Sequence, residues 1–265
     1  MIKEAEKFAA GNRMEGMVSL RAVLDAPQSG VNDRTILRVL YADSAAKKRP
    51  REYAFLRAKA AERGFDLQVL PEKEIRSLAV GTTHGGVLAE CSDRTLPSLT
   101  ESAVLPNGFY VMLEGIEDPY NFGYALRSLY AAGVSGIVLC PRNWMSAAGV
   151  VCRSSAGASE RLPMFLCAPE EAPAIFHARG YRVIGADIDD SISVYDAALS
   201  YPLFLIVGGE KRGISAKTKK QLDGIVRLDY ARTDADALSA ASAASVLAFE
   251  IFRQNREKRS ERSSL

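Results

Sequence analysis

The chain has 265 residues, 48% hydrophobic and 25% charged, an ordinary globular composition with length for one large or two modest domains, two being the better expectation. A formal net charge of +2 is too mild to diagnose a nucleic-acid partner, so the placement of the charges matters more than their sum. Cys91, Cys140, Cys152 and Cys167 form no Cys-x-x-Cys pair, and only His84 and His177 could join them, which suggests neither a zinc cage nor a disulfide framework. The N-terminus lacks the apolar core of a signal peptide, and no stretch approaches the roughly 18 to 20 apolar residues of a membrane span, so the expected compartment is the cytosol.

In chain order, Met17, Leu20, Ala22, Val23 and Leu24 predict a short amphipathic helix over 17–24, and a strand follows at 36–42. A helix over 51–63 ends before Gly64, where a helix stop is expected. A strand at 65–70, a short helix at 72–78 and a strand at 85–90 complete a small α/β unit, 1–92. The Ser, Thr, Pro and Gly content of the next stretch reads as a linker, 93–107.

Beyond it, 109–114, 136–140, 182–186 and 203–207 are short apolar strands separated by stretches long enough for crossover helices. That alternation predicts a mostly parallel sheet with helices on both faces, spanning 108–256. Ligands of such sheets lie beyond the carboxyl ends of the strands, which points to the loops after Glu114, Cys140 and Val207. The basic tail, 257–265, reads either as a solvated helix end or as a segment that contacts phosphates.

Three segments could carry chemistry. In the first, a turn at Asp118-Pro119 leads into a helix that Asn121 is placed to cap, with Phe122, Ala125, Leu126, Leu129 and Tyr130 as its buried stripe. Arg127 lies off that stripe, where a guanidinium could hold a phosphate or stabilise an alkoxide, or simply be solvated. In the second, the strand 203–207 runs into Gly208-Gly209-Glu210-Lys211-Arg212-Gly213, a turn open to close backbone approach that lacks the order of a phosphate loop. In the third, a strand passes through Leu228 and a loop into a helix rich in Ala and Ser, which alone reads as a tightly packed terminal helix.

In order and spacing these segments resemble the SpoU/TrmH family of the SPOUT superfamily, the knotted RNA ribose 2′-O-methyltransferases. The matching residues are Asn121-Phe-Gly-x-x-x-Arg127, Gly208-x-Glu210-x-x-Gly213, and Leu228 with Ala237-Leu238-Ser239-x-x-Ser242. The resemblance implies an α/β fold whose C-terminal parallel-sheet domain carries a deep trefoil knot, preceded by a small α/β RNA-binding domain. It also implies S-adenosylmethionine as methyl donor, ribosomal or transfer RNA as partner, and a homodimer. By position it assigns catalysis to Arg127, with Asn121 and Glu210 ordering the site, and donor binding to Gly208, Gly209, Leu228 and Leu238.

The third segment departs from the family, which commonly reads Ser-Leu-Asn where this chain has Ala237-Leu238-Ser239, and proline where it has Asp229. An amide is thereby replaced by a single hydroxyl. A noncatalytic RNA-binding member of the same fold is therefore the alternative reading. In the N-terminal unit, Lys47, Lys48, Arg49, Arg51, Arg57, Lys59 and Arg63 face only Glu52 and Glu62 over 17 residues, which reads either as a phosphate-tracking surface or as a solvated helix face.

Overall fold

In the computed structural model, which describes residues 12–116, 118–140, 147–209, 213–232 and 238–262, the first predicted helix is longer than its apolar stripe. A short strand, β1 (Arg13–Glu15), turns at Gly16, whose φ of 84° suits glycine, into α1 (Gly16–Ser29). Then come β2 (Ile36–Ala42), α2 (Asp43–Lys48), α3 (Pro50–Arg63), β3 (Asp66–Leu70), α4 (Glu72–Leu78) and β4 (Val87–Cys91). α3 stops as expected at Gly64, left-handed at φ 76°, whose N–H donates to the Ala60 carbonyl at 2.9 Å. β1 escaped the periodicity reading because three residues carry no pattern.

The described residues fall into two compact units, one drawn from Met1–Thr95 and Asn143–Arg161, the other from Leu96–Arg142 and Leu162–Leu265. The first holds a four-stranded sheet in the order β1-β4-β2-β3, with β2 parallel to β3 and the other pairings antiparallel. Met14, Leu20, Tyr41, Leu56, Ile75 and Leu88 are fully buried in its core.

Past a 3₁₀ turn at Glu101–Ala103 come β5 (Phe109–Leu113), α5 (Pro119–Ala131), β6 (Gly136–Leu139), α6 (Ala148–Ser154) and α7 (Ala158–Arg161). α6 and α7 belong to the first unit, where Cys152 is fully buried in the core and Glu160 pairs with Arg34. The second unit continues with β7 (Met164–Leu166), α8 (Ala172–Ala178), β8 (Arg182–Ala186), β9 (Ile192–Ser193), β10 (Leu203–Val207), α9 (Ala216–Lys219), β11 (Gly224–Arg227) and α10 (Ala240–Arg262).

Its seven-stranded sheet has the order β7-β6-β5-β10-β8-β11-β9, and every pairing is parallel. β5, β6 and β10 are buried at every position, as continuous apolar strands covered on both faces must be. Phe176 stacks on Phe204 with ring centroids 3.8 Å apart. The stretch before β5 packs on the same unit. Leu166 donates to the Pro97 carbonyl at 2.8 Å and receives Leu99 in return at 2.9 Å, while Leu99 and Val104 are buried.

Candidate functional site

β8, β10 and β11 are neighbours, and their registers put Val207, Ala186 and Val226 in one row at the carboxyl ends. The chain leaving each strand therefore enters the same space, a pocket of about 180 Å³. Asp187 and Ile188 line it after β8, Gly208 and Gly209 after β10, and Leu228 and Tyr230 after β11. Leu238 and the first turns of α10, through Ala240, Ala243 and Leu247, close it. A ligand beyond strand ends is what parallel α/β topology predicts.

Glycine is required in the turn after β10. A Cβ on Gly208 would lie 2.5 Å from the Gly213 carbonyl carbon and 2.7 Å from the Ile214 nitrogen. Gly213 N–H donates to the Gly209 carbonyl at 2.9 Å from a φ of 60°, which closes the turn. A Cβ on Gly209 would lie 2.9 Å from the Cα of Gly115, in the loop that leads to α5.

The wall is aliphatic with few polar groups. Asp187 accepts from Lys219 Nζ at 2.7 Å and from the Ile188 N–H at 2.7 Å. Partial burial pushes its carboxyl upward, but these hydrogen bonds outweigh it and hold the group below its ordinary range. Leu238 N–H donates to the Tyr230 hydroxyl at 3.2 Å. Ser239 Oγ accepts from the Ser242 N–H at 3.2 Å, and the Ala243 N–H donates to the Ser239 carbonyl at 2.9 Å, so Ser239 caps α10. Arg227 also lines the pocket, paired with Asp229 at 3.1 Å, and Asp187 is paired with Lys219, so an aliphatic space with open glycine backbone suits a flat organic group held by apolar contact and backbone hydrogen bonds.

The structure brings four predicted residues together here, Gly208, Gly209, Leu228 and Leu238. Asn121 and Arg127 lie on α5 and are not among the lining residues; Asn121 is half-buried and Arg127 exposed. The expected cap is corrected. α5 begins at Pro119, and the Asp118 carboxylate accepts the Asn121 N–H at 2.8 Å, so Asp118 is the cap and Asn121 the residue it caps. The stripe holds at Phe122, Ala125, Leu126 and Leu129, whereas Tyr130 is exposed. Glu210 and Ala237 lie outside the described residues.

Asp187, Ile188 and Tyr230 were not anticipated. The rule that selected the loop after Val207 applies equally after Ala186, so the first two were within reach of the sequence. Tyr230 carries no local signal. Burial pushes the thiols of Cys152 and Cys167 up, to about 12 and about 11, so both remain protonated at neutral pH.

Comparison with known proteins shows the family and the fold. The model of the SpoU rRNA Methylase family matches residues 108–249. The chain is 28% identical over 207 residues to a putative TrmH family tRNA/rRNA methyltransferase of Staphylococcus haemolyticus, covering 75% of this chain and 81% of that one. It is 28% identical over 201 residues to the 23S rRNA (guanosine-2′-O-)-methyltransferase RlmB of Shewanella oneidensis, covering 73% and 80%. An AdoMet-bound rRNA methyltransferase from Sinorhizobium meliloti shares the fold, with a TM-score of 0.75, 22% identity, and 94% and 93% of the two chains covered.

Proposed function

This chain belongs to the SpoU rRNA Methylase family, and from that membership we propose that it transfers a methyl group from S-adenosylmethionine to a ribose 2′-hydroxyl of ribosomal or transfer RNA. The observation that carries this reading is the convergence of Gly208, Gly209, Leu228 and Leu238, from separate loops, on one pocket beyond the ends of β8, β10 and β11.

S-adenosylmethionine supplies an electrophilic methyl on a sulfonium, which leaves the protein the tasks of orientation and of stabilising the oxygen nucleophile. Leu228, Leu238 and Leu247 offer an apolar seat for its adenine, and the open backbone at Gly208 and Gly209 permits close approach. Asp187 and Arg227 also line the pocket, each already paired, with Lys219 and with Asp229. The Leu238 N–H is already given to Tyr230, so Leu238 contributes its carbonyl and side chain. Arg127 stabilises the developing alkoxide; as a permanent cation it does not take the proton, which passes to phosphate or water. Asn121 and Glu210 order the adjoining loops.

The same reading includes the trefoil knot of the C-terminal third, an RNA-binding role for the N-terminal domain, 1–92, and for the tail, 257–265, and a cytosolic location. Among the described residues no helix is long and apolar enough to cross a membrane. It includes a homodimer as well, supported by α5 and α10, which pack on each other and leave Tyr120, Tyr124, Val246 and Phe249 exposed.

Incubation with labelled donor and unmodified total RNA, followed by digestion to nucleosides, tests the function. Label is expected in 2′-O-methylnucleosides. Label confined to methylated bases, or absent, would sink the ribose assignment.

A further inference from the structure

Lys48 and Arg49 line two adjoining pockets in the first unit. One, of about 670 Å³, lies among the end of α2, α4 and the loop 80–86, with Glu72, Arg76, Thr82 and His84 in its wall. The other, of about 520 Å³, lies at the start of α3 with Arg21, Arg51 and Glu52. The two linings together present the cations Arg21, Lys48, Arg49, Arg51 and Arg76 against the carboxylates Glu52 and Glu72.

Both carboxylates are engaged within the unit. Glu72 accepts from Ser44 Oγ at 2.6 Å and from Arg76, and these bonds hold its carboxyl below the ordinary range. Glu52 accepts from the Tyr41 hydroxyl at 2.7 Å and pairs with Arg49 at 3.1 Å. Lys48 and Arg51, both exposed, make no hydrogen bond or ion pair among the described residues. Arg21 is steadied over the Phe55 ring at 5.0 Å. Lys48 acts on Glu72 through its charge without a hydrogen bond, and the wall as a whole carries five cations against two carboxylates.

The loop 80–86 is built for close backbone approach. Gly85 and Gly86 have φ of 60° and 78°, and a Cβ on Gly86 would lie 3.0 Å from that of Ala42. The Gly86 N–H donates to Nδ1 of buried His84 at 3.0 Å, which fixes the imidazole against the loop. Arg49 donates to the Gly85 carbonyl and ties the loop to the boundary of the two pockets.

Pockets for compact organic ligands are chiefly apolar, and single-stranded nucleic acid is gripped by stacking where aromatic rings are offered. These two pockets are cationic and hold no Phe, Tyr or Trp in their walls. Cations on both sides of the shared Lys48 and Arg49 suit charges repeated along a chain better than one compact anion. We propose that the two pockets form one groove for the phosphodiester backbone of an RNA strand, held through successive phosphates and riboses without reading the bases. This rests on the RNA substrate of the proposed function.

The test compares the full-length wild type with Lys48→Gln/Arg51→Gln/Arg76→Gln and the three single variants. Fluorescence anisotropy with labelled RNA oligonucleotides of two base compositions is followed against salt, with donor calorimetry and thermal melting as controls. All three side chains are exposed, so unchanged melting and donor affinity are expected. RNA affinity should fall at least tenfold for both compositions, and the salt slope should shrink by about 2, since each phosphate no longer neutralised removes about 0.7 from it. Unchanged affinity and slope in the triple variant would overturn the groove. So would a loss confined to one base composition, or adenosine monophosphate binding as tightly as the oligonucleotide. Failure of the wild type itself to bind or methylate RNA would overturn the function, and the groove with it, and that failure is visible without any variant.

Discussion

Gly115 and Gly209 meet backbone to backbone, so that a β-carbon on either would sit 2.9 Å from the Cα of the other. Their strands, β5 and β10, are paired with Leu113 opposite Val207. The contact seats the turn that lines the proposed donor pocket against the loop leading to α5, the helix of Asn121 and Arg127. A side chain at either position would separate them.

Gly209→Ala is expected to lower stability by about 1–3 kcal/mol, as overpacking does, and to weaken donor binding at least tenfold. Gly224→Ala is the control, because its Cβ would meet only Ile184 Cδ1 at an ordinary 3.5 Å. Calorimetry with S-adenosylmethionine and thermal melting read both. Equal behaviour of the two variants would deny the contact any role.

Arg127 is exposed on α5. Arg127→Ala should therefore keep the melting temperature and the donor affinity while lowering kcat about a hundred- to a thousand-fold, the usual cost of removing one group that stabilises a developing oxyanion. Single-turnover methylation with saturating donor measures it. A loss seen only in KM would assign Arg127 to RNA binding instead.

Ser239 caps α10 in the place where the family commonly carries an amide. Ser239→Ala should cost about 0.5–2 kcal/mol through the lost cap, whereas Ser239→Asn, another good cap, should melt within a few degrees of wild type. Denaturant titration of the two variants separates the cap from any catalytic role. If both lose activity with stability intact, the hydroxyl acts in chemistry.

Lys219 and Asp187 couple stability to pH at both extremes. Asp187 has a carboxyl lowered from 3.8, so its contribution is present above about pH 4 and lost as pH falls through the lowered value. Lys219 has an ammonium raised from 10.5, chiefly by its hydrogen bond to Asp187, so its contribution is present below about pH 10 and lost as pH rises through the raised value. The melting difference between wild type and Lys219→Met should be level from about pH 5 to 9 and shrink outside it. A difference that persists unchanged into strong acid would show that the ion pair is not its source.

Arg34 and Glu160 are a buried pair, 3.1 Å apart with 2% and 3% of their side chains exposed. Arg34 also donates to the Ser92 carbonyl at 2.8 Å and to Asn12 at 3.0 Å. Glu160→Ala leaves the guanidinium uncompensated and should cost about 3–5 kcal/mol in equilibrium unfolding, while Arg34→Met/Glu160→Leu should recover much of that. A single variant as stable as wild type would contradict it.

The sequence by itself determined what is local or periodic in this protein. The apolar runs of β5 and β10, the stop at Gly64 and the glycine turn after Val207 each depend on neighbours a few residues away. The order of three short motifs also pointed to four residues that line one pocket, Gly208, Gly209, Leu228 and Leu238, because such motifs mark loops at strand ends. The cap of α5 was equally local and was misread, since Pro119 at the first helical position already pointed to Asp118.

Strand order was beyond the sequence. Parallel strands buried on both faces show no alternation, so nothing in their composition says that β10 lies between β5 and β8, or that Asp187 and Tyr230, which follow β8 and β11, line one pocket. Nor does any local pattern unite α6 and α7 with the first unit, or set Arg21 and Arg76 beside Lys48 and Arg49. Those neighbours are distant in the chain, and only the packed tertiary structure, which satisfies all strand pairings and both cores at once, decides which of them meet.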